Sequence, residues 1–269
     1  MLDRPATGHR PRRSIHPPFP RILCAVDGTQ ATDAAIAQAI AVADGDARIA
    51  FATSWYGAHT SADERVREAV ERAVVRAREA GVEARADSFH APRLGDGLLA
   101  ATAAHDLVVV GAHSHSRATG IVLGETATQL VHRCAVPVLV ARDRPLSTGV
   151  VVATRGQPTD RAALTAGAHL AARLGAELTV VHVLERDEST RRRELSAELA
   201  NARAFLGRGI DYDQDTGPAP RAIVTAAEGD GAGLVVVGSD SRRGLSALAS
   251  VSERVAHLAP CSVLVMRGR

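Results

Sequence analysis

The chain repeats itself once, and this repeat limits the possible folds more than any other feature of the sequence. The stretch from Arg21, RILCAVDGTQATDAAIAQAIAVA, matches the stretch from Gly149, GVVVATRGQPTDRAALTAGAHLA. Later, HDLVVVGAHS and VHRCAVPVLVAR match AGLVVVGSDS and AHLAPCSVLVMR. A repeat of this length indicates two copies of one domain. The expected organisation is a disordered tail rich in Pro and Arg, a first domain and a second domain, over residues 1–19, 20–145 and 146–269.

Each copy alternates short apolar strands with helices. In the first copy we expect strands near 21–26, 48–54, 82–87, 107–110 and 137–141, and helices near 32–43, 63–80, 95–104 and 125–133. The strands are continuous apolar runs, which is typical of parallel strands buried on both faces. Five strands and four helices predict a doubly wound parallel-sheet α/β domain, present twice. Plausible helix N-caps are Thr32 or Asp33 in the first copy and Thr159 or Asp160 in the second.

Composition excludes several classes of function. All 32 basic residues are Arg, so the chain has neither a P-loop lysine nor a Schiff-base lysine. A net charge of +2 argues against a general nucleic-acid binder. No apolar run is long enough for a membrane span, and the first residues lack the apolar core of a secretory signal. The three cysteines form no C-x-x-C pair, so we expect a cytoplasmic protein that binds neither nucleic acid nor membrane.

One segment, VVVGAHSHSRATGIVLGETATQL from Val108, joins an apolar strand to a helix through a loop. Gly111 ends the strand and Gly124 precedes the helix. Loops of this kind commonly bind phosphate at the helix N-terminus. In a doubly wound fold, the ligand lies beyond the carboxyl ends of the strands, where the strand order reverses.

Several of these segments resemble the universal stress protein family in its tandem form. The resemblance rests on AVDGT, GDG, DLVVVGAHS, LGET and VPVLVAR, which follow one another in the first copy and recur more faintly in the second. It implies the strand order 3-2-1-4-5 in each domain. It also implies that the two fifth strands pair, so that the chain forms a pseudodimer, and two chains could associate further as a homodimer.

Some members of that family bind ATP through a G-x2-G-x9-G-(S/T) signature and an Asp after the first strand. The resemblance implies that Asp27 would meet the nucleoside and that Gly111 opens the signature. It therefore implies a first-domain site for ATP or another adenine nucleotide, accompanied by Mg and with no other metal. The implied binding residues are Ala25, Val26, Asp27, Ser54, Val110, Gly111, His113, Ser114, Gly124, Glu125 and Thr126.

The sequence departs from this signature in both copies. Ser114 stands at the second glycine position, and Glu125 stands where the family has a hydroxyl. A carboxylate there would repel phosphate, or it would only favour the start of the helix through the helix dipole. In the second copy Arg155 replaces the Asp, the loop is two residues shorter, and Ser250 follows an alanine in place of the third glycine. Ordinary ATP binding is therefore not expected in the second domain.

Other candidate sites are weak. His113 and His115 form H-x-H, but no third metal ligand accompanies them at a persuasive spacing. We find no catalytic triad order and no carboxylate pair suited to catalysis. The leading interpretation is a non-catalytic stress-response protein that binds an adenine nucleotide in its first domain. The alternatives are a nucleotide-free interaction module or a slow ATPase.

Overall fold

The structure is a computed structural model, and the part of the chain that it describes comprises residues 19–55, 61–91, 93–112, 123–155, 160–184, 200, 211–216, 218–239 and 250–267. In the first half, the strands are β1 Arg21–Ala25, β2 Arg48–Trp55, β3 Glu83–His90, β4 Leu107–Gly111 and β5 Val138–Ala141. The helices are α1 Gln30–Val42, α2 Ser61–Glu79, α3 Leu94–Ala101 and α4 Glu125–Arg133. The second half has β6 Val150–Thr154, β7 Leu178–Leu184, β8 Asp211–Thr216, β9 Leu234–Ser239 and β10 Ser262–Arg267. Its described helices are α5 Arg161–Leu174, α6 Ala219–Gly229 and α7 Val251–Leu258.

All ten strands form one sheet, in the order β3-β2-β1-β4-β5-β10-β9-β6-β7-β8. Each half reads 3-2-1-4-5 from its outer edge to the centre, so the doubly wound α/β class is confirmed. Within each half, every strand pair is parallel. The two halves meet at the centre, where β5 pairs antiparallel with β10 and Leu139 lies opposite Leu264.

The core has two layers, one on each face of the sheet. Alternate residues of a strand enter different layers: Ile22 of β1 lies in one layer and Leu23 in the other. Each layer also crosses from one half to the other. Leu170 of α5 packs in the same layer as Ile22, and Val255 of α7 packs in the same layer as Leu23. Phe19, at the end of the predicted tail, is 2% exposed and belongs to this core.

The predicted N-caps of the first helix are wrong. Helix α1 starts at Gln30, so Thr32 and Asp33 lie inside its first turn. The helix begins early because the chain turns at Gly28, whose φ is 74°, and the Asp27 carboxylate accepts a hydrogen bond from the Thr29 backbone N–H.

In the second half, Asp160 directly precedes α5 but makes no side-chain capping bond to it. Its carboxylate accepts hydrogen bonds from Thr154 and Arg155 at the end of β6 instead. The alternative cap, Thr159, lies outside the described residues. Helix α3 is also shorter than predicted: it ends at Ala101 and continues as a 3-10 turn over Thr102–Ala104.

Within the described ranges, no helix is both long enough and apolar enough to cross a membrane.

Candidate functional site

A cleft lies where the strand order of the first half reverses, between the carboxyl ends of β1 and β4. These two strands are neighbours in the sheet, although most of the first half separates them in sequence. The cleft and its open mouth together have a volume of about 330 Å³. Its lining residues are Ala25, Asp27, Ala31, Thr32, Leu94, Val110, Gly111, Gly124, Thr126 and Ala127.

Three helices begin at this cleft. Ala31 and Thr32 lie in the first turn of α1, Leu94 is the first residue of α3, and Thr126 is the second residue of α4. A helix N-terminus carries a partial positive charge and backbone N–H groups that lack partners within the helix. Their convergence makes the cleft favourable for a negatively charged group.

Asp27 lies on the cleft wall two residues after the end of β1, and its side chain is exposed. Its Oδ1 accepts hydrogen bonds from Thr29 N (3.0 Å), Thr29 Oγ1 (2.7 Å) and Thr32 Oγ1 (2.5 Å). The Asp27 backbone N–H in turn donates to Thr32 Oγ1 at 3.2 Å. The carboxylate therefore fixes the turn that leads into α1, and one oxygen is enough to do so.

Two glycines shape the other wall. A Cβ at Gly111 would lie 2.6 Å from the backbone oxygen of Ala31, so only glycine lets the end of β4 approach α1 this closely. Gly124 is the N-cap of α4 and contributes no side-chain capping bond, since it has no side chain. Its own N–H donates to Ala112 O at 2.8 Å, which ties the start of α4 to the end of β4.

Glu125, the residue that departs most from the signature, does not line the cleft. Its side chain is 80% exposed, and Oε1 lies 3.6 Å from Nε of Arg93, which is also exposed. Glu125 is the first residue of α4, where the negative charge of its carboxylate interacts favourably with the helix dipole.

The equivalent region of the second half is built from different side chains. Arg155 follows β6 where Asp27 follows β1. Its backbone N–H donates to Asp160 Oδ2 at 2.6 Å, just as that of Asp27 donates to Thr32. Asp160 is 2% exposed and also accepts from Thr154 Oγ1 (3.2 Å) and from Arg155 Nη2 (3.3 Å). An internal ion pair thus lies where the first half has an exposed carboxylate.

The helix that follows β9 also differs from its counterpart. Ser250 is the N-cap of α7, and its Oγ accepts a hydrogen bond from the Glu253 backbone N–H at 3.3 Å. The start of α7 therefore has a side-chain cap of its own, whereas the start of α4 has none.

The family model described as "Universal stress protein family" matches the chain twice, over residues 18–142 and 148–267. The chain belongs to the universal stress protein family.

A universal stress protein of Mycolicibacterium smegmatis is 30% identical to this one over 194 residues, which are 64% of this chain and 65% of that protein. The chain thus spans less than two thirds of that relative. The crystal structure of a universal stress protein from Archaeoglobus fulgidus covers 93% of this chain and 98% of its own, with a TM-score of 0.73 and 19% identity. A putative universal stress protein from Pseudomonas aeruginosa covers 93% of both chains, with a TM-score of 0.72 and 18% identity. At these identities the two structures show the fold alone.

The structure brings together part of the set that the family signature predicts. The residues of that set that line the cleft are Ala25, Asp27, Val110, Gly111, Gly124 and Thr126. Val26 is buried beside it and Ser54 is half-buried in β2, and neither lines it. His113 and Ser114 lie outside the described residues.

Sequence reasoning missed four residues that line the cleft: Ala31, Thr32, Leu94 and Ala127. The first two could have been found, because the first turn of a helix that follows a strand at the switch point faces the ligand position. Leu94 follows β3, which is two strands away from β1, so only the folded structure shows that it belongs here.

The described residues contain no group of three His, Cys, Asp or Glu side chains that could hold a metal ion. The predicted H-x-H pair, His113 and His115, lies outside them.

Proposed function

We propose that this universal stress protein binds an adenine nucleotide in its first domain and not in its second. The proposal rests on the difference between the two switch points. In the first domain the cleft is open and the helix start is uncapped. In the second domain the Arg155–Asp160 pair and the Ser250 hydroxyl use the same positions for contacts within the protein.

The phosphates would bind at the start of α4. Within the part of the chain that the structure describes, no side chain caps the first-turn N–H groups of Glu125, Thr126 and Ala127, because the N-cap is Gly124. The Thr126 hydroxyl could donate a further hydrogen bond. His113 and Ser114, in the segment between β4 and α4, complete the proposed phosphate contacts, and Mg would accompany a nucleotide that carries several phosphates.

The nucleoside would lie toward β1. Asp27 lines the cleft there, and its Oδ2 makes no hydrogen bond with the described part of the chain. A carboxylate oxygen accepts hydrogen bonds from the hydroxyl groups of a ribose. Ala25 and Val110 supply apolar surface to the same wall.

One observation supports a second candidate, a nucleotide-free interaction module. Asp27 already has a structural role, since its Oδ1 accepts three hydrogen bonds from Thr29 and Thr32. The presence of the acidic residue is thus explained without any ligand, and the two functions have to be separated by experiment.

Calorimetric titration with ATP, ADP and AMP separates them when matched variants of the two domains are used. Asp27→Asn retains an Oδ1 acceptor for the turn but removes the charge, and we expect it to weaken nucleotide binding about tenfold, or roughly 1.4 kcal/mol. The matched control is Arg155→Gln at the equivalent position of the second domain, for which we expect unchanged affinity. Absence of both heat and thermal stabilisation at millimolar nucleotide would favour the interaction module.

We further infer that the two domains form a pseudodimer within one chain. The antiparallel pair of β5 and β10 and the two core layers that cross between the halves support this inference. Sedimentation velocity would show whether two chains associate further as a homodimer.

A further inference from the structure

Helix α4 links the proposed nucleotide site to the second domain. It is nine residues long, beginning at Glu125 beside the cleft and ending at Arg133. At 1.5 Å per residue it is about 13 Å long. Its first turn carries the proposed phosphate ligands, and its last turn contacts residues of the second domain.

Arg267, the last residue of β10, makes the first of these contacts. Its Nη2 donates a hydrogen bond to the backbone oxygen of Val131 in the last turn of α4. Its Nη1 donates to Ser239 Oγ at 2.9 Å, and Ser239 ends β9 directly after Gly238. The guanidinium is thus held on one side by the second domain and binds the end of α4 on the other.

The symmetry-equivalent contact joins the first domain to α7. Arg142 directly follows β5, as Arg267 ends β10. Its Nη2 donates to Ala256 O at 2.6 Å and its Nη1 to Cys261 O at 2.9 Å. The two arginines are separated by the same number of residues as the two helix carbonyls that accept from them, as expected for a pseudo-two-fold axis. Burial lowers the pKa of both guanidinium groups, and that of Arg142 falls to about 10, so both stay charged at neutral pH.

One further contact breaks this symmetry. His132 of α4 lies 2.8 Å from Glu253 of α7, measured from Nε2 to Oε1, and both side chains are largely buried. The first-domain counterpart of Glu253 is Thr128, which has no carboxylate to offer. His257, the counterpart of His132, is instead 3.9 Å from Glu253 of its own helix. The contact joins α4 to α7 directly, so within the described residues Glu253 acts beside Arg267 to hold the end of α4.

We propose that Arg267 and Glu253 of the second domain are positioning residues for the nucleotide site of the first domain. The proposal rests on the function proposed above. Hydrogen bonds to phosphate depend on donor positions within about 0.5 Å, and a short helix transmits a displacement at one end to the other. Arg142 holds α7, which contacts α4 through Glu253, so the loss of Arg142 reaches the proposed ligand contacts only indirectly and should disturb them less than the loss of Arg267.

The matched pair Arg267→Met and Arg142→Met tests this. Each variant removes two side-chain hydrogen bonds, one of them to a helix-end carbonyl, and replaces the guanidinium with an apolar side chain of similar length, so we expect similar losses in Tm. Two further measurements, made well below Tm, are hydrogen exchange of the α4 and α7 amides in nucleotide-free protein and calorimetric affinity for ATP, ADP and AMP.

For Arg267→Met we expect faster exchange in α4 and at least fivefold weaker nucleotide binding. Arg142→Met should speed exchange in α7 and leave affinity within twofold of the wild type. Glu253→Gln should weaken binding less than Arg267→Met. Arg267→Lys retains a donor for Val131 O and should recover most of the affinity, which also controls for misfolding of the methionine variant.

Unchanged α4 exchange in Arg267→Met, or equal affinities in the two methionine variants, would overturn the proposal. If the wild-type protein binds no nucleotide at all, the proposed function fails instead. The exchange data would then still decide whether the second domain holds α4.

Discussion

The two domains share one backbone plan but place their charged groups at opposite sides of the same turn. In the first domain the acid, Asp27, follows the strand, and Thr32 lies in the helix. In the second, Arg155 follows the strand and the acid, Asp160, precedes the helix. The backbone N–H after the strand accordingly donates to a hydroxyl in one domain and to a carboxylate in the other. This turn is stabilised by either arrangement, whereas among the described residues only the first arrangement leaves a carboxylate exposed at a cleft.

The largest effect is expected at the buried acid. Asp160→Ala removes a carboxylate that accepts hydrogen bonds from the Arg155 backbone N–H and the Thr154 hydroxyl, and we expect a loss of about 3 kcal/mol in the free energy of unfolding. Thr32→Ala, at the equivalent position of the first domain, should cost about 1 kcal/mol. Urea denaturation measures both. Equal losses would show that the two turns are energetically alike and would contradict the expectation that the buried acid contributes more.

Next in size is the glycine near the end of the fourth strand of each domain, which is the last residue of β4 and the last but one of β9. Alanine at Gly111 would bring a Cβ within 2.6 Å of the Ala31 backbone oxygen, so we expect a loss of about 2 kcal/mol from strain. At Gly238 the nearest atom is Asp160 Oδ1 at 3.2 Å, a side-chain atom that can shift, so the loss should be below about 1 kcal/mol. The difference in denaturation midpoint between the two alanine variants checks this, and a larger loss at Gly238 would contradict it.

The helix caps give a smaller effect. Ser250→Ala removes the side-chain cap of α7 and should cost about 1 kcal/mol of stability without changing nucleotide affinity. Gly124→Ser gives α4 the kind of cap that α7 has, and it should add only a few tenths of a kcal/mol. If the start of α4 binds phosphate, the new hydroxyl competes for the same N–H groups and affinity should fall. Unchanged affinity would place the phosphates elsewhere.

The smallest effect is expected at Glu125. Its ion pair with Arg93 is exposed, so Glu125→Gln should change stability by less than about 1 kcal/mol. Nucleotide affinity should change by less than about threefold, and the change should vanish at high salt. A tenfold rise in affinity would mean that the carboxylate reaches the phosphates after all.

The fold could be predicted almost completely because the signals that specify it are local and occur twice. Continuous apolar runs indicated buried parallel strands, and the repeat supplied the division into two copies. Strand β1 shows why this worked: each of its residues from Ile22 to Ala25 packs in one layer or the other, so its apolar run reads directly as burial.

The candidate site could be predicted only in part, because its details depend on contacts between segments that are distant in sequence. Glu125 could repel phosphate or start a helix, and its orientation became visible only with Arg93, which belongs to a different strand–helix unit. The "TD" pairs, Thr32-Asp33 and Thr159-Asp160, looked equivalent in sequence. In the structure, however, the counterpart of Thr32 is Asp160. The Thr32 hydroxyl accepts from the Asp27 backbone N–H after β1, and the Asp160 carboxylate accepts from the Arg155 backbone N–H after β6. The "TD" pair of the second copy is therefore shifted by one residue relative to its strand. This shift places the Asp160 carboxylate in the interior, whereas the Asp33 carboxylate is at the surface.

The antiparallel junction of β5 and β10 has a consequence for how the molecule meets its surroundings. Because strand direction reverses there, the carboxyl ends of the first-domain strands and those of the second-domain strands emerge at opposite poles of the protein. A molecule bound at the cleft of the first domain therefore leaves the opposite pole, where the second-domain strands end, uncovered.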